Sequence, residues 1–402
     1  MPIDTSYPDK REALTRSAFI VVSAALFLLA WALLLPHPGL SKFDVSPSPV
    51  SSEFEPFFAE QFTSQGNTLK AHAATLYAGE KAVYAYWYGG SDEGAGDVHV
   101  YQARFKDNRW SEATAIVGPA KVQSDLHRFV RKVGNPVVYN WPDGRTWLFF
   151  VSVSVGGWAG SSINLIVSRD AGETWGDVQR LITSPFTNLS TLVRNQAIKY
   201  TDGSIGLPVY HELVGKFGEI LRIDTNGRIL DKTRLSNGTH SLQPVIVPLS
   251  EDNAIGLMRY SGKPPMRLLQ MSSSDGGNTW SPARKLALPN PNAAVDAIKL
   301  ADNQVLAVIN NTVNGRSNLS LAILKHDSDW IIFHTLEVVN VSPVSHEFEF
   351  SYPSIIRDKN GIFHLLYSWN HENIKHIRFN DTWLNEKISG HLMPISAPSE
   401  IQ

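Results

Sequence analysis

The chain has 402 residues, 18% of them charged and 43% hydrophobic, with a formal net charge of −2 at pH 7. That balance offers no basic surface for a phosphate backbone, which excludes a nucleic-acid partner. The absence of cysteine excludes disulfides, Cys-ligated zinc and thiol catalysis. The length allows one large domain or two smaller ones.

The first element is apolar. Residues 18–35, AFIVVSAALFLLAWALLL, carry no charge and a single polar residue, Ser23. As a helix, 17–36 reaches about 30 Å, the thickness of a bilayer core. A secretory signal would have a shorter apolar region and a small-x-small cleavage site, and PHPGLSKF follows here instead. The run therefore reads as an uncleaved transmembrane anchor over 17–36. Lys10, Arg11 and Arg16 precede it and only Lys42 follows closely, which leaves 1–16 in the cytoplasm. The rest then lies outside the inner (plasma) membrane, periplasmic or extracellular. Residues 37–66 are rich in Ser and Pro and read as a tether. The aromatic cluster FEPFFAEQF within it suggests that its last part docks on the domain that follows.

From residue 67 the text is a series of short β-rich runs cut by turn signals, such as KAVYAYWYGG, TWLFFVSVSVGG, QPVIVPLSEDN and FHLLYSWN. No stretch keeps a helical period over twelve residues or more. Tryptophans end turn-like segments at Trp110, Trp175, Trp280, Trp330 and Trp383, and RIDTNGRIL, from Arg222, fills the gap in the series without one. The unit is about 50–55 residues and recurs six times over 67–388, the signature of a β-propeller of four-stranded blades. Seven blades would need one made partly from 50–66. Residues 389–402 remain as a tail.

Two of the marks share a phrase. Ser168–Trp175 and Ser273–Trp280 both fit S-x-D-x-G-x-T-W. Asp and Ser side chains bond nearby amides, Gly permits a positive φ, and Trp can fold back as a plug. The phrase builds turns; it is not catalytic.

S-x-D-x-G-x-T-W is the Asp-box, and the chain resembles the sialidase (neuraminidase) superfamily, in particular the bacterial BNR-repeat sialidase-like proteins. Segments such as VGNPVV, LQPVIV, LPNPNAAVDAIKL, NNTVNGRSNL and FSYPSII extend the resemblance to 67–385. It implies an all-β, six-bladed propeller with a carbohydrate site on the face opposite the Asp-boxes. It further implies an arginine triad that clamps a carboxylate, a tyrosine nucleophile helped by a glutamate, and an aspartate acid/base. A guanidinium matches a carboxylate bidentately, and a tyrosine avoids the repulsion a carboxylate nucleophile would meet from an anionic sugar.

Carried onto this chain, the pattern is partial. No R-I-P segment is present; the early strand reads KAHAATLYAG, with His72 where an anion-binding group would sit. Arg128, Arg131, Arg194, Arg259 and Arg316 are the clamp candidates, Arg259 and Arg316 the best matched because each follows a β-run and enters a Gly-containing turn. GGSDEGAGDVHV supplies Asp92, Glu93 and Asp97, with Glu93 as the acid and Asp97 positioning it or bonding a sugar hydroxyl. Tyr352 takes the nucleophile position. Its partner is Glu212, beside His211, or Glu349, the latter only if the strand breaks between the two. His72, His211, His240 and His346 lack metal-ligand spacing, although His72 and His211 suit a lyase base. No metal and no cofactor is expected.

The implied function is a membrane-anchored exo-glycosidase of sialidase type acting on terminal acidic sugars. Two alternatives stand beside it: a lyase or hydrolase on another anionic, uronate-containing polysaccharide, and a non-catalytic propeller that binds one. The partners are the glycan and, through the N-terminal helix, the membrane.

Overall fold

The structure, a computed structural model, describes residues 10–34, 41–47, 49, 55–63, 70–183, 188, 190–236, 240–325, 329–339 and 348–392. The chain divides into residues 1–39 and 40–402. In the first unit, Lys10–Leu34 is one helix, and every residue described with its side chain there, 15–29, is exposed. Among the described residues no helix is long and apolar enough to cross a membrane, so the structure gives the anchor expected at 17–36 no support.

The second unit is an all-β propeller of six antiparallel sheets. The innermost strands, in chain order, start at Lys70, Lys132, Leu192, Ser241, Asp296 and Phe350. Alternating β-branched and aromatic residues fill the spaces between blades. One cluster runs from Trp147 and Phe149 of blade two to Leu207 and Val209 of blade three; another joins Leu306 and Val308 of blade five to Phe363 and Tyr367 of blade six. No seventh blade is needed. Phe58–Phe62 pairs antiparallel with Asn373–Phe379, so the aromatic stretch before the propeller becomes the outer strand of the last blade and closes the ring, leaving no open edge there. Among the described residues two α-helices interrupt the β pattern, Pro119–Leu126 and Asp381–Leu392. The second carries Trp383, whose ring stacks on Phe58 at 4.8 Å.

All six turn marks follow the third strand of their blade. In the two full Asp-boxes the Ser hydroxyl accepts the Gly amide, Gly172 N to Ser168 Oγ at 2.7 Å and Gly277 N to Ser273 Oγ at 2.9 Å. The Asp carboxylate accepts the Thr amide, at 2.9 Å in both boxes. Bonds from the Thr174 hydroxyl and amide and the Ser168 hydroxyl hold the Asp170 carboxyl down at about 2. These residues are spent on the turn itself.

The second box also receives the chain's own N-terminal segment. Ser41 Oγ donates to Gly276 O and lies equally close to Asn278 Oδ1, both at 3.1 Å. Lys42 pairs with Asp252, and Phe43 is fully buried, stacked on Tyr200 with ring centroids 5.4 Å apart. Gly276 has φ +71°, and a Cβ there would stand 1.8 Å from the Ser41 carbonyl oxygen. Gly276→Ala is expected to cost about 2 kcal/mol or more through backbone strain plus the clash. It should speed trypsin cleavage after Lys42; unchanged stability and cleavage would show that the segment does not rest on this turn.

In a four-stranded meander, turns after the third strand share one face, while loops between second and third strands and the crossings between blades share the other. The Asp-boxes occupy the first face. The candidate residues gather toward the second, because the innermost strands break there. Ala73, Asn135, Gln243, Asn292 and Tyr352 all have φ between +47° and +57°. The ladders shift register at the same places in four blades, between His72 and Thr75, Gly134 and Val137, Leu242 and Val245, and Ser351 and Ser354. Each bulge adds a residue and turns a side chain out of the alternation, toward the axis.

Candidate active site

Two guanidiniums meet on one asparagine. Arg259 Nε donates to Asn292 Oδ1 at 2.5 Å and its Nη1 to Gln243 Oε1 at 3.1 Å. Arg316 Nη2 donates to the Asn292 carbonyl at 3.2 Å, and its Nη1 pairs with Glu349 Oε1 at 3.2 Å. The left-handed backbone at Asn292 thus aligns a cation from blade four with one from blade five. Arg316 lies over the Tyr352 ring at 5.5 Å.

Arg194 also lies over this ring, at 5.3 Å. It is 2% exposed and donates to the Pro353 and Ala74 carbonyls at 2.9 and 3.4 Å. Behind it, burial raises the Asp296 carboxyl to about 6, against the pull of the Ile355 amide, Arg194 and the Ala297 amide. Arg194 therefore ties three blades together under Tyr352 and is part of the floor.

The break after Ser351 brings Glu349 and Tyr352 to one centre, which unbroken alternation would not do. Glu349 Oε1 accepts from Ser351 Oγ and faces His371 Nε2, each at 2.6 Å. Burial alone would raise this carboxyl; the bonds from His371, Arg316 and Ser351 hold it at about 2. His371 stacks on His72 at 4.1 Å, and His72 meets the Tyr352 ring edge to face at 4.6 Å. Burial first, then His371, presses the His72 imidazole well below its usual range, so it is neutral at pH 7. Its Nδ1 is buried without a partner.

His72, Glu349 and His371 each bring a donor atom within 4.8 Å of the others. The chemistry of the set is wrong for a metal ion: Glu349 Oε1 is already engaged by three donors, and the Arg316 guanidinium would face the dication.

Glu93 stands over this group in the exposed loop between the second and third strands of blade one. Burial first, then its carboxylate, pushes the Tyr88 phenol well up, and Glu93 also acts on Arg316. Asp97 does not enter the centre. It closes the loop, accepting from Ser91 N at 3.0 Å and from Ser91 Oγ at 2.9 Å.

Several sequence candidates lie elsewhere. His211 Nε2 faces Glu219 Oε2 at 2.7 Å and its ring stacks on Phe217, a structural pair within blade three. Glu212 is held by its amide on Ser190 Oγ at 2.8 Å, and its charge bears on Tyr210. Arg131 is exposed and bonds through its backbone to Val153 O, and Arg128 reaches Ser154. His240 meets Tyr260 edge to face; His346 lies outside the described residues.

Sequence reasoning missed His371, Tyr210 and the amides around it. The Tyr210 hydroxyl accepts from Asn135 and Gln243, each at 3.3 Å. A signal was present: Asn135, Gln243 and Tyr352 each precede a proline within a β-run, where an alternating strand has no use for one. His371, in the turn after Trp369, had no such mark.

A BNR repeat-like domain model matches residues 81–365. No curated protein matches the chain. Among solved structures, a protein of unknown function from Dyadobacter fermentans DSM 18053 is similar at 14% identity and TM-score 0.62, over 83% of this chain and 100% of that one. Trypanosoma rangeli sialidase is similar at 15% identity and TM-score 0.63, over 83% of this chain and 61% of its own length. The intramolecular trans-sialidase from Ruminococcus gnavus follows at 14% and 0.60, over 80% and 97%. At such identities the structural likeness carries the fold alone. The family match spans most of the chain, which belongs to the BNR repeat-like family and has the six-bladed propeller of the sialidase superfamily.

Proposed function

We propose that the chain is a glycosidase of sialidase type that removes terminal acidic sugars from glycans at the centre of this face. The observation that supports it most is the pair of guanidiniums, Arg259 and Arg316, held side by side on Asn292 next to Tyr352. Two fixed forks with N–H groups left over suit a carboxylate, and partial burial strengthens their pull on it. With the carboxylate held there, the Tyr352 hydroxyl attacks the anomeric carbon and passes its proton to Glu349, while Glu93 protonates the departing oxygen. Positive charge from Arg194 and Arg316 near the ring stabilises charge that develops on the tyrosine oxygen. Water then releases the sugar, with Glu93 as base.

A second reading, elimination on a uronate-containing glycan, draws on His72, whose neutral imidazole borders Tyr352. The assay that tests both gives the full-length protein a terminal sialoside and a panel of acidic bacterial glycans. Hydrolysis releases a saturated acidic sugar and elimination an unsaturated, ultraviolet-absorbing one. If no glycan is cleaved yet one binds, the propeller is a binding module.

The membrane anchor belongs to the same proposal. The uncharged run 18–35 in the sequence supports an apolar rod in need of lipid, with the basic N-terminus in the cytoplasm. The full-length protein is expected to stay with membranes through alkaline carbonate extraction; release into the supernatant would remove the anchor from the account.

A further inference from the structure

The clamp is short of a cation. Where the resemblance leads one to expect a first arginine, the strand carries His72, a buried imidazole. Arg316 is balanced by Glu349 and His371 is bonded to the same carboxylate, whereas His72 Nδ1 is sealed in with nothing to bond.

The neighbours of His72 set what its protonation would cost. Tyr88 comes from the adjoining strand and meets it edge to face at 5.6 Å. Lys70 of its own strand, Asp92 and Glu93 of the acidic loop, and His371 line one small cavity with it. Glu349, Tyr352 and His371 come from blade six, Arg194 from blade three and Arg316 from blade five. With no ligand, burial, His371 and the two guanidiniums outweigh Glu349. An anion seated on Arg316 changes that sum, because it places a negative charge beside the imidazole and offsets the guanidinium that opposes the proton.

We propose that His72 is the third member of the carboxylate clamp, so that the site takes up an anionic sugar together with one proton, carried on the His72 imidazole. The inference rests on the centre being a carboxylate site. An arginine would hold its charge at every working pH, empty or full. A histidine sealed beside His371 acquires charge when the ligand arrives, and binding is then coupled to pH with a definite sign. Affinity rises as the solution becomes more acidic, until the ligand's own carboxylate begins to protonate.

The test is calorimetry on the full-length protein with N-acetylneuraminic acid and D-glucuronic acid as probes, in pairs of buffers of different ionisation heat between about pH 5 and pH 8. The expected result is uptake of close to one proton per bound sugar near neutrality, with affinity changing about tenfold per pH unit there. His72→Gln should bind weakly with no uptake. His72→Arg should bind more tightly at neutral pH with a flat profile. Binding by the wild type without proton uptake overturns the proposal, as does uptake that persists in His72→Gln, which would put the proton on another group such as Glu93. If neither probe binds at any pH, the carboxylate reading of the centre falls, and this proposal with it.

Discussion

Arg316→Ala is expected to lower kcat/KM on an acidic glycan by roughly 10² to 10³-fold, because removing one partner of a desolvated charge pair costs about 2–5 kcal/mol. The loss has two sources. The substrate carboxylate loses one of its two guanidiniums. Glu349, whose carboxyl Arg316 helps hold at about 2, keeps its charge with only His371 and Ser351 to bond it. Lysine is expected to restore little, since a point charge cannot reach the Asn292 carbonyl and Glu349 and still present a fork outward. Steady-state kinetics on one acidic substrate checks this. A loss of less than about threefold would mean that no carboxylate is held there.

Tyr352→Phe is expected to reduce kcat on the order of 10³-fold or more, as removal of a nucleophile does, and to leave KM within a few-fold. The ring contacts with His72, Arg194 and Arg316 survive the loss of a hydroxyl, so the fold and the binding floor should survive too. The separation of kcat from KM is the useful readout. A fall in affinity with kcat retained would make Tyr352 a wall of the site and move the chemistry elsewhere, His72 being the next group against that wall.

The propeller was legible because its repeat is written in side chains that serve the turns: Ser168, Asp170, Gly172 and Thr174 bond one another, so the phrase survives wherever that turn does. Arg316, Glu93 and Tyr352 could be singled out because each sits beside a glycine or proline that breaks a β-run, and Arg259 because its run enters a turn at Gly262. The floor was less legible. Glu349 and Tyr352 share a centre through a left-handed residue, and strict alternation places them on opposite faces; only the proline after Tyr352 hinted otherwise. His211 faces Glu219, a partner that nothing in PVYHELVG announces, and the Glu212 amide bonds Ser190 while its charge bears on Tyr210. His371 reaches the centre from a turn with no pattern of its own, and its role emerges only from its 2.6 Å contact with Glu349. The tether was half read: its aromatic end joins blade six, but nothing in SKF announced that Phe43 would be buried against Tyr200.

The central claim is that the face selects a negative charge through Arg259 and Arg316. The most direct measurement gives the full-length protein an acidic glycan that it cleaves or binds and the same glycan with its carboxyl groups reduced to alcohols. The account expects the reduced form to lose at least about 10²-fold in kcat/KM or affinity, and the difference between the two forms to shrink in Arg316→Ala. Equal handling of the charged and neutral glycans would contradict it.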